Sequence, residues 1–331
     1  MSMPKDNRKR IIEMLSNSGE EFISGESISK ELGISRAAVW KHINYLKENG
    51  YDIEAINKKG YRIVDVNSDV IIPEQITANL DTKFVGQNIK YFQEIDSTNN
   101  YAKDNFESLK DGTLIISEYQ SAGKGRLGKN WQSNVGEGIW MSLILKPEIP
   151  VYKAPFLTLV AGASILNAFR NLGVDAEIKW PNDIVLNGQK ICGILTEMVA
   201  EVEKVGCVVI GMGINVNTML FPGELSEKAT SLKKEGFDIK RTDIIREIMK
   251  EFEGLYNLYI EDGSREDIIG ICRKYSVLIG KDVYLIKKDH REKVYCMDIS
   301  NDGNLIVKHN DGEIEEIISG EVSVRGQNGY I

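Results

Sequence analysis

The sequence predicts an α+β multidomain protein with three parts: an N-terminal winged helix-turn-helix, a central mixed α/β domain and a strand-rich C-terminal domain. Three observations lead there. Apolar residues recur at helical spacing up to about residue 50, then alternate at strand spacing. Between 85 and 271, strand patterns and helix patterns are interspersed. Beyond 272, short alternating runs are punctuated by Asn-Asp-Gly turns at 301–303 and 310–312. We set the domain limits at 1–65, 85–271 and 272–331, with 66–84 as a linker holding Pro73 and a short helix.

The first part opens with RKRIIEMLSNSG, whose apolar positions 11, 12, 14 and 15 form a helical face closed by Gly19. Ser24 or Ser27 can cap a short helix, SISKEL, which Gly33 ends. Ser35 caps a second, RAAVWKHINYLKENG, with Ala38, Val39, Ile43 and Leu46 on its apolar face and Gly50 at its close. Two helices about a glycine turn make a helix-turn-helix, and YDIEAI and GYRIVDV around NKKG add a wing. The outward face offers Ser35, Arg36, Ala37, Trp40, Lys41 and Asn44 to phosphates and base edges of operator DNA. Lys58, Lys59 and Arg62 on the wing can touch the DNA backbone. A three-helix interaction domain with a solvated polar face is the alternative. His42, beside the apolar face, reads as structural.

In the central part, strand IKYFQEI leads into DSTNNYAKDNFESL, a helix that opens on an N-cap cluster. TLIISEYQ is a buried strand, and IWMSLIL is the next. A helix PFLTLVAGASILNAFRNLG comes after them, then a strand pair around AEIKWPNDIVLNGQKICGILTEM. The apolar strand KVGCVVIGMGINVN and the helix IIREIMKEFEGLYNLYI complete the region.

GKGRLGKNW, residues 123–131, fits the dinucleotide pattern G-x-G-x-x-G and all but the last position of a P-loop, where Asn130 replaces Ser or Thr. Both need a helix after the loop, so that its N-terminal N–H groups meet phosphate. KNWQSNVGEG is rich in turn formers and opens no helix, so both patterns fail on context. The remaining reading is a glycine-spaced cationic loop carrying Lys124, Arg126 and Lys129, which is either an anion-binding flap or a solvated surface loop. Gly211-x-Gly213 is a similar short pattern, and more often a packing feature.

Composition narrows the classes. The chain has 331 residues, 42% of them hydrophobic and 27% charged, within the range of globular proteins. We expect no membrane span and no export signal, hence a cytoplasmic protein. Four scattered cysteines without C-x-x-C read as reduced core thiols rather than a zinc site. Net charge is −8, but residues 1–65 hold 11 Lys/Arg against 10 Asp/Glu, and the rest 30 against 39. Only the first part has the balance that phosphate binding wants. Outside it the histidines are His290 and His309, and no G-x-S-x-G occurs, so no nucleophile with a partner base is evident.

DSTN (96–99), EYQSAGKGRLGKNW (118–131), KWPNDIVLNGQKICGIL (179–195) and GMGINVN (211–217), in that order, resemble the biotin–protein ligases. With the helix-turn-helix, the whole chain is similar to the bifunctional bacterial type that is also the biotin operon repressor. Lys124 stands where the family usually has arginine. The resemblance implies a class II synthetase-like ligase domain and an SH3-like C-terminal β-barrel that helps bind ATP and carrier protein. It implies formation of biotinoyl-5′-AMP from biotin and ATP with Mg²⁺, then transfer to a lysine of a biotin carboxyl carrier protein. It implies catalytic roles for Lys179 and Arg126, which cancel anionic repulsion at the α-phosphate. It places biotin against Ser97, Thr98, Asn99, Gln120, Lys124, Gly125, Arg126 and Lys179. ATP and the adenylate would meet Lys124, Arg126, Trp131, Asp183 and Asn215, with Asp183 a candidate Mg²⁺ ligand. Biotinoyl-5′-AMP would be the co-repressor, ordering loop 122–131 and promoting a homodimer on two-fold operator DNA. A biotin sensor without transfer activity and a lipoate-type ligase are the competing functions.

Overall fold

A computed structural model describes residues 5–19, 21–48, 53–63, 69–200, 205–261, 263–287, 290–319, 323–326 and 330. They form two compact units, Met1–Leu80 and Asp81–Ile331.

The first unit contains α1 (Lys5–Asn17), α2 (Gly25–Leu32), α3 (Arg36–Glu48), β1 (Ile53–Ile56), β2 (Gly60–Ile63) and α4 (Pro73–Ala78). Ser24 caps α2 by accepting from the Ser27 N–H, and Gly33 closes it in the left-handed region at φ 64°. Ser35 Oγ accepts from the Ala38 N–H at 3.2 Å and so caps α3. The apolar face is as expected: Val39, Ile43 and Leu46 are buried with Ile11, Leu15 and Ile28. The wing pairs Ile53 with Ile63 and Ile56 with Gly60. Gly60 is needed where it stands, because a Cβ there would lie 2.1 Å from the Ile23 carbonyl oxygen. Gly50, the expected end of the second helix, lies outside the described residues. The short helix expected in 66–84 is α4, and Ile72 and Val70 before it pack on this unit's core.

The second unit begins with β3 (Ile89–Ile95), α5 (Thr98–Asp104), β4 (Leu114–Gln120) and β5 (Gly138–Leu145). Then come α6 (Leu157–Asn171), β6 (Glu177–Lys179), β7 (Asp183–Leu186), β8 (Gln189–Ala200) and β9 (Val205–Asn215). The seven strands form one mixed sheet in the order β3-β4-β5-β9-β8-β7-β6, with only β3 and β4 parallel. The expected strand pair around KWPND is a three-strand meander. Its second turn, Asn187-Gly188, has both φ values positive, which lets two residues reverse the chain. Short α7 (Leu225–Lys228), long α8 (Arg241–Ile260) and α9 (Glu266–Lys274) come next. No helix succeeds the glycine loop. A 3-10 turn at Arg126–Gly128 gives way to an irregular stretch and β5.

Helix α5 covers one face of the sheet, burying Ala102 against Ile115, Ile144 and Val209. Helix α6 packs on the opposite face, where Ile194 lies 3.8 Å from the Cβ position of Gly162, and α8 packs against α6. The stretch Val151–Asn171 has the length and hydropathy of a membrane span, yet 67% of its most apolar window is buried within the protein. That is the pattern of a core helix. The four cysteines are free and buried. Glu253 on α8 anchors the start of this unit. Its carboxylate accepts from the N–H groups of Lys83, Phe84 and Val85 at 2.6, 3.0 and 2.9 Å.

The C-terminal strands are β10 (Asp282–Lys287), β11 (His290–Ile299), β12 (Leu305–Lys308), β13 (Ile314–Ile317) and β14 (Ser323–Arg325). They form an antiparallel sheet ordered β13-β12-β11-β10-β14. Both expected Asn-Asp-Gly turns are present, with Gly303 at φ 87° and Gly312 at φ 95°. This sheet docks on the seven-stranded sheet through the Trp180 indole N–H, which donates to the Gly303 carbonyl at 2.9 Å.

Candidate active site

Strand register builds the site. Lys179 on β6 pairs with Asp183 on β7, Asp183 with Gly193 on β8, Gly193 with Gly213 on β9, and Gly213 with Trp140 on β5. Cross-strand partners share a face, here the face that carries α5. The two central glycines leave a flat floor on which Trp131 lies. A Cβ on Gly213 would stand 2.5 Å from the indole Cε2, and one on Gly193 2.8 Å from Cζ3. Trp140 meets this indole edge-on, with centroids 6.4 Å apart, and Lys190 Nζ stands 5.2 Å from its ring. One row along, Gly211 admits Asn99, whose Oδ1 would lie 2.3 Å from a Cβ. Gly211-x-Gly213 is therefore a packing device for two site side chains.

Two cavities share Gly125, Arg126, Trp131, Asn182 and Lys190 as common walls. The smaller, about 50 Å³, is lined by Ser97, Thr98, Asn99, Gln120 and Lys124. Ser97 caps α5, and the Thr98 N–H and Oγ1 donate to Gln120 Oε1 at 2.8 and 3.1 Å. Gln120 Nε2 donates to Ser133 Oγ at 3.0 Å. Asn99 donates to Glu197 at 2.8 Å and accepts from Ser142 Oγ at 2.5 Å. This polar set is already ordered by the protein itself.

The larger cavity, about 350 Å³, holds Lys179, Asp183 and Asn215. Arg126, Lys129, Lys179, Lys190, Lys228 and Arg325 line it, against two carboxylates, Glu137 and Asp183. So strong a positive excess, in a chain of net charge −8, suits a polyanion. Asn215 Nδ2 donates to the Thr230 carbonyl at 3.1 Å. The buried Trp131 Nε1 has no hydrogen-bond partner among the described residues.

The glycine loop closes over both cavities. The Gly125 N–H donates to the Lys129 carbonyl at 2.7 Å, and the Trp131 N–H to that of Gly123 at 2.8 Å. Arg126 Nη1 donates to Asn182 Oδ1 at 2.7 Å, and Nη2 to the carbonyl of Ser319, just past β13 of the C-terminal sheet. Lys124 is exposed and donates to Asn100 Oδ1 at 2.7 Å.

Lys179 is buried, and burial pulls its ammonium down to about 7, with Arg325 adding to the effect and Asp183 opposing it. Burial pushes Asp183 upward, but Lys190, the Tyr330 hydroxyl and Lys179 outweigh it and hold the carboxyl below its usual range. Lys190 Nζ reaches Asp183 at 2.6 Å. Sequence reasoning missed Lys190, although it lies inside the KWPND…GIL motif, where the Asn-Gly hairpin returns it to Asp183. It also missed Tyr330, for which no spacing gave a signal. Among the described residues no group of three or more His, Cys, Asp or Glu could hold a metal.

On the first unit, Ser35, Arg36, Ala37, Trp40 and Lys41 are exposed and Asn44 is half-buried. Trp40 keeps 57% of its surface exposed, unusual for an indole with no ligand to meet. Lys58 and Lys59 are exposed on the wing turn, whereas Arg62 is held by Glu54 at 2.6 Å. His42 is buried, and burial with Arg8 nearby lowers its pKa, as a structural histidine requires.

Comparison with known proteins agrees with this arrangement. The model of the biotin/lipoate A/B protein ligase family matches residues 91–215. An HTH domain model matches 7–62, and that of the biotin protein ligase C terminal domain matches 296–325. The bifunctional ligase/repressor BirA of Bacillus subtilis is 39% identical over 322 residues, 96% of this chain and 98% of that one. Its Escherichia coli counterpart is 32% identical over 97% of this chain and 98% of its own. Among solved structures, the biotin protein ligase from Aquifex aeolicus in complex with biotin and ATP superposes with TM-score 0.64 at 28% identity. It covers 73% of this chain and 100% of its own.

Proposed function

The chain belongs to the family of bifunctional biotin ligase/repressors, and from that premise we propose that it activates biotin with ATP, biotinylates a carrier protein and represses transcription. The observation that carries the enzymatic half is the cation-lined cavity of about 350 Å³ joined through Arg126, Lys190 and Trp131 to a small polar cavity. In this reading the biotin carboxylate oxygen attacks the α-phosphorus, the bond to the β-phosphate oxygen breaks, and pyrophosphate leaves. The carrier lysine's neutral amine then attacks the acyl carbon, AMP departs and the surplus proton goes to solvent. Lys179 and Arg126 neutralise the charge that gathers at the α-phosphate, within a site that excludes water. Ser97, Thr98, Asn99, Gln120, Lys124 and Gly125 serve the biotin head. The small cavity is well under the usual size for such a ligand, so loop 122–131 lifts to admit it. Trp131, Asp183 and Asn215 serve the nucleotide. Mg²⁺ fits as a companion of the triphosphate with Asp183 as a single protein contact, since Mg²⁺ keeps waters and substrate phosphates as its main ligands.

The finer assignments belong to the same proposal. The ligase sheet is class II synthetase-like and the C-terminal sheet an SH3-like barrel, in domains 85–271 and 272–331. Four buried free thiols support a cytoplasmic location. Residues 1–65 bind operator DNA through Ser35, Arg36, Ala37, Trp40, Lys41 and Asn44 with the wing lysines Lys58 and Lys59. Biotinoyl-5′-AMP promotes the homodimer that DNA requires. Sedimentation with and without biotin and ATP tests that step, and an unchanged monomer removes it.

Incubation with biotin and ATP should release pyrophosphate, and a carrier domain should gain biotin. Lys179→Ala should lower adenylation by about 10²–10³-fold, the usual cost of losing a preorganised charge at the reacting group. Absence of pyrophosphate release by the unaltered protein would end the ligase reading. Calorimetry with biotin and lipoate in parallel separates the lipoate-type alternative.

A further inference from the structure

Tyr330 lies more than a hundred residues from every motif of the site, yet it makes three contacts inside it. Its carbonyl accepts from Lys179 Nζ at 2.5 Å. Its ring centroid stands 3.4 Å from the same ammonium, and its hydroxyl donates to Asp183 Oδ2. The ring is also 5.4 Å from the Arg325 guanidinium. Lys179 and Asp183 are register partners on β6 and β7, so one residue of the C-terminal segment grips both.

We propose that Tyr330 is a positioning residue of the ligase site, holding the Lys179 ammonium and the Asp183 carboxylate in place for adenylation. The proposal rests on the ligase reading above. A lysine side chain has four rotatable carbons and gains little precision from its own backbone. Buried Lys179 finds a carbonyl on one side and an aromatic face beside it, and both favour its charged form. One of its three N–H groups is used by Tyr330, which leaves two to meet an anion. The hydroxyl fixes Asp183 from the opposite end, while Lys190 fixes it from below at 2.6 Å. Tyr330 lines the wall of the 350 Å³ cavity.

The charged and titratable groups facing Lys179 are Asp183 on β7, Lys190 on β8, Arg325 on β14 and Tyr330 itself. Burial is the main reason its ammonium titrates near 7.

Adenylate formation is measured in single turnovers over a range of biotin and ATP concentrations for the full chain, Y330A and Y330F, with thermal unfolding alongside. Y330A should slow adenylation by about 10–10²-fold, a typical cost of about 1 Å of misplacement. KM for biotin should stay near its original value. Y330F keeps ring and carbonyl, loses only the Asp183 bond, and should fall between Y330A and the unaltered chain. An unchanged adenylation rate in Y330A would overturn the proposal. So would faster adenylation with a lower KM for ATP, the mark of a plug that nucleotide must displace. If Y330A fails to fold, Y330F decides: an unchanged rate at unchanged thermal stability refutes the role. If the unaltered chain makes no adenylate, it is the ligase reading that fails.

Discussion

Gly213→Ala adds one methyl group beneath the Trp131 indole. The φ of Gly213 is not in the left-handed region, so space alone opposes the change. The new Cβ would lie 2.5 Å from Cε2, 2.6 Å from Nε1 and 2.8 Å from Cζ2. Ordinary carbon contacts begin near ~3.5 Å, so the ring must rise by about 1 Å. Trp140 meets the indole edge-on and Lys190 stands over its ring, so the displaced ring moves into the cavities it lines. A shift of that size next to reacting groups costs about 10²-fold in rate. Overpacking of this kind costs about 1–3 kcal/mol in stability. Gly254→Ala, on the exposed side of α8 with nothing within 4 Å of its Cβ, is the matched control. It should stabilise by about 0.5–1 kcal/mol and leave adenylation unchanged. Single-turnover adenylate formation and thermal unfolding read both variants. If Gly213→Ala works at full rate with unaltered unfolding, the indole floor is not part of the reaction site.

Other parts of the structure carry two further outcomes. Arg241 and Glu118 form a buried pair at 2.9 Å, with side chains 2% and 6% exposed, so Arg241→Met strands a carboxylate. Urea unfolding of the second unit should lose about 3–5 kcal/mol, and a loss under ~1 kcal/mol would show that the Tyr91 hydroxyl and Gly136 N–H already satisfy Glu118. On the first unit, Lys41→Ala should weaken DNA binding about equally across sequences and reduce the salt slope by about 1, as a phosphate contact does. A slope equal to that of the unaltered chain would remove Lys41 from the interface.

Sequence patterns were most legible where chemistry was local. The cap at Ser35, the stop at Gly33 and the Asn-Asp-Gly turns act within a few residues and stand where pattern put them, while Ser24 is one of two caps the pattern offered and Ser97 one member of an N-cap cluster. Rejection of the two phosphate-loop patterns also held, because it rested on the lack of a helix after Gly128. Candidate site residues inside motifs were nameable from local pattern. Their arrangement was not. That Lys179, Asp183, Gly193 and Gly213 share one row depends on strand register, which three successive chain reversals set together. The reason for glycine at 193, 211 and 213 is a pair of side chains distant in sequence, Asn99 on α5 and Trp131 on the glycine loop. Helix α9 could have been found, since Ile268, Ile269 and Cys272 recur at helical spacing and all three are buried. Tyr330 could not, because its role exists only after the C-terminal sheet has docked.

The three N–H groups that Glu253 caps raise a matter of timing during synthesis. Every residue of the first unit has been made by position 80, whereas Lys83 waits for a partner 170 residues further on. At about 5–20 residues per second, that wait lasts roughly 10–35 s. The helix-turn-helix unit can therefore finish folding on the ribosome while the ligase sheet still lacks α8, its closing helix. A ribosome that stalls in this interval releases a chain whose DNA-recognition unit is complete and whose enzyme is not.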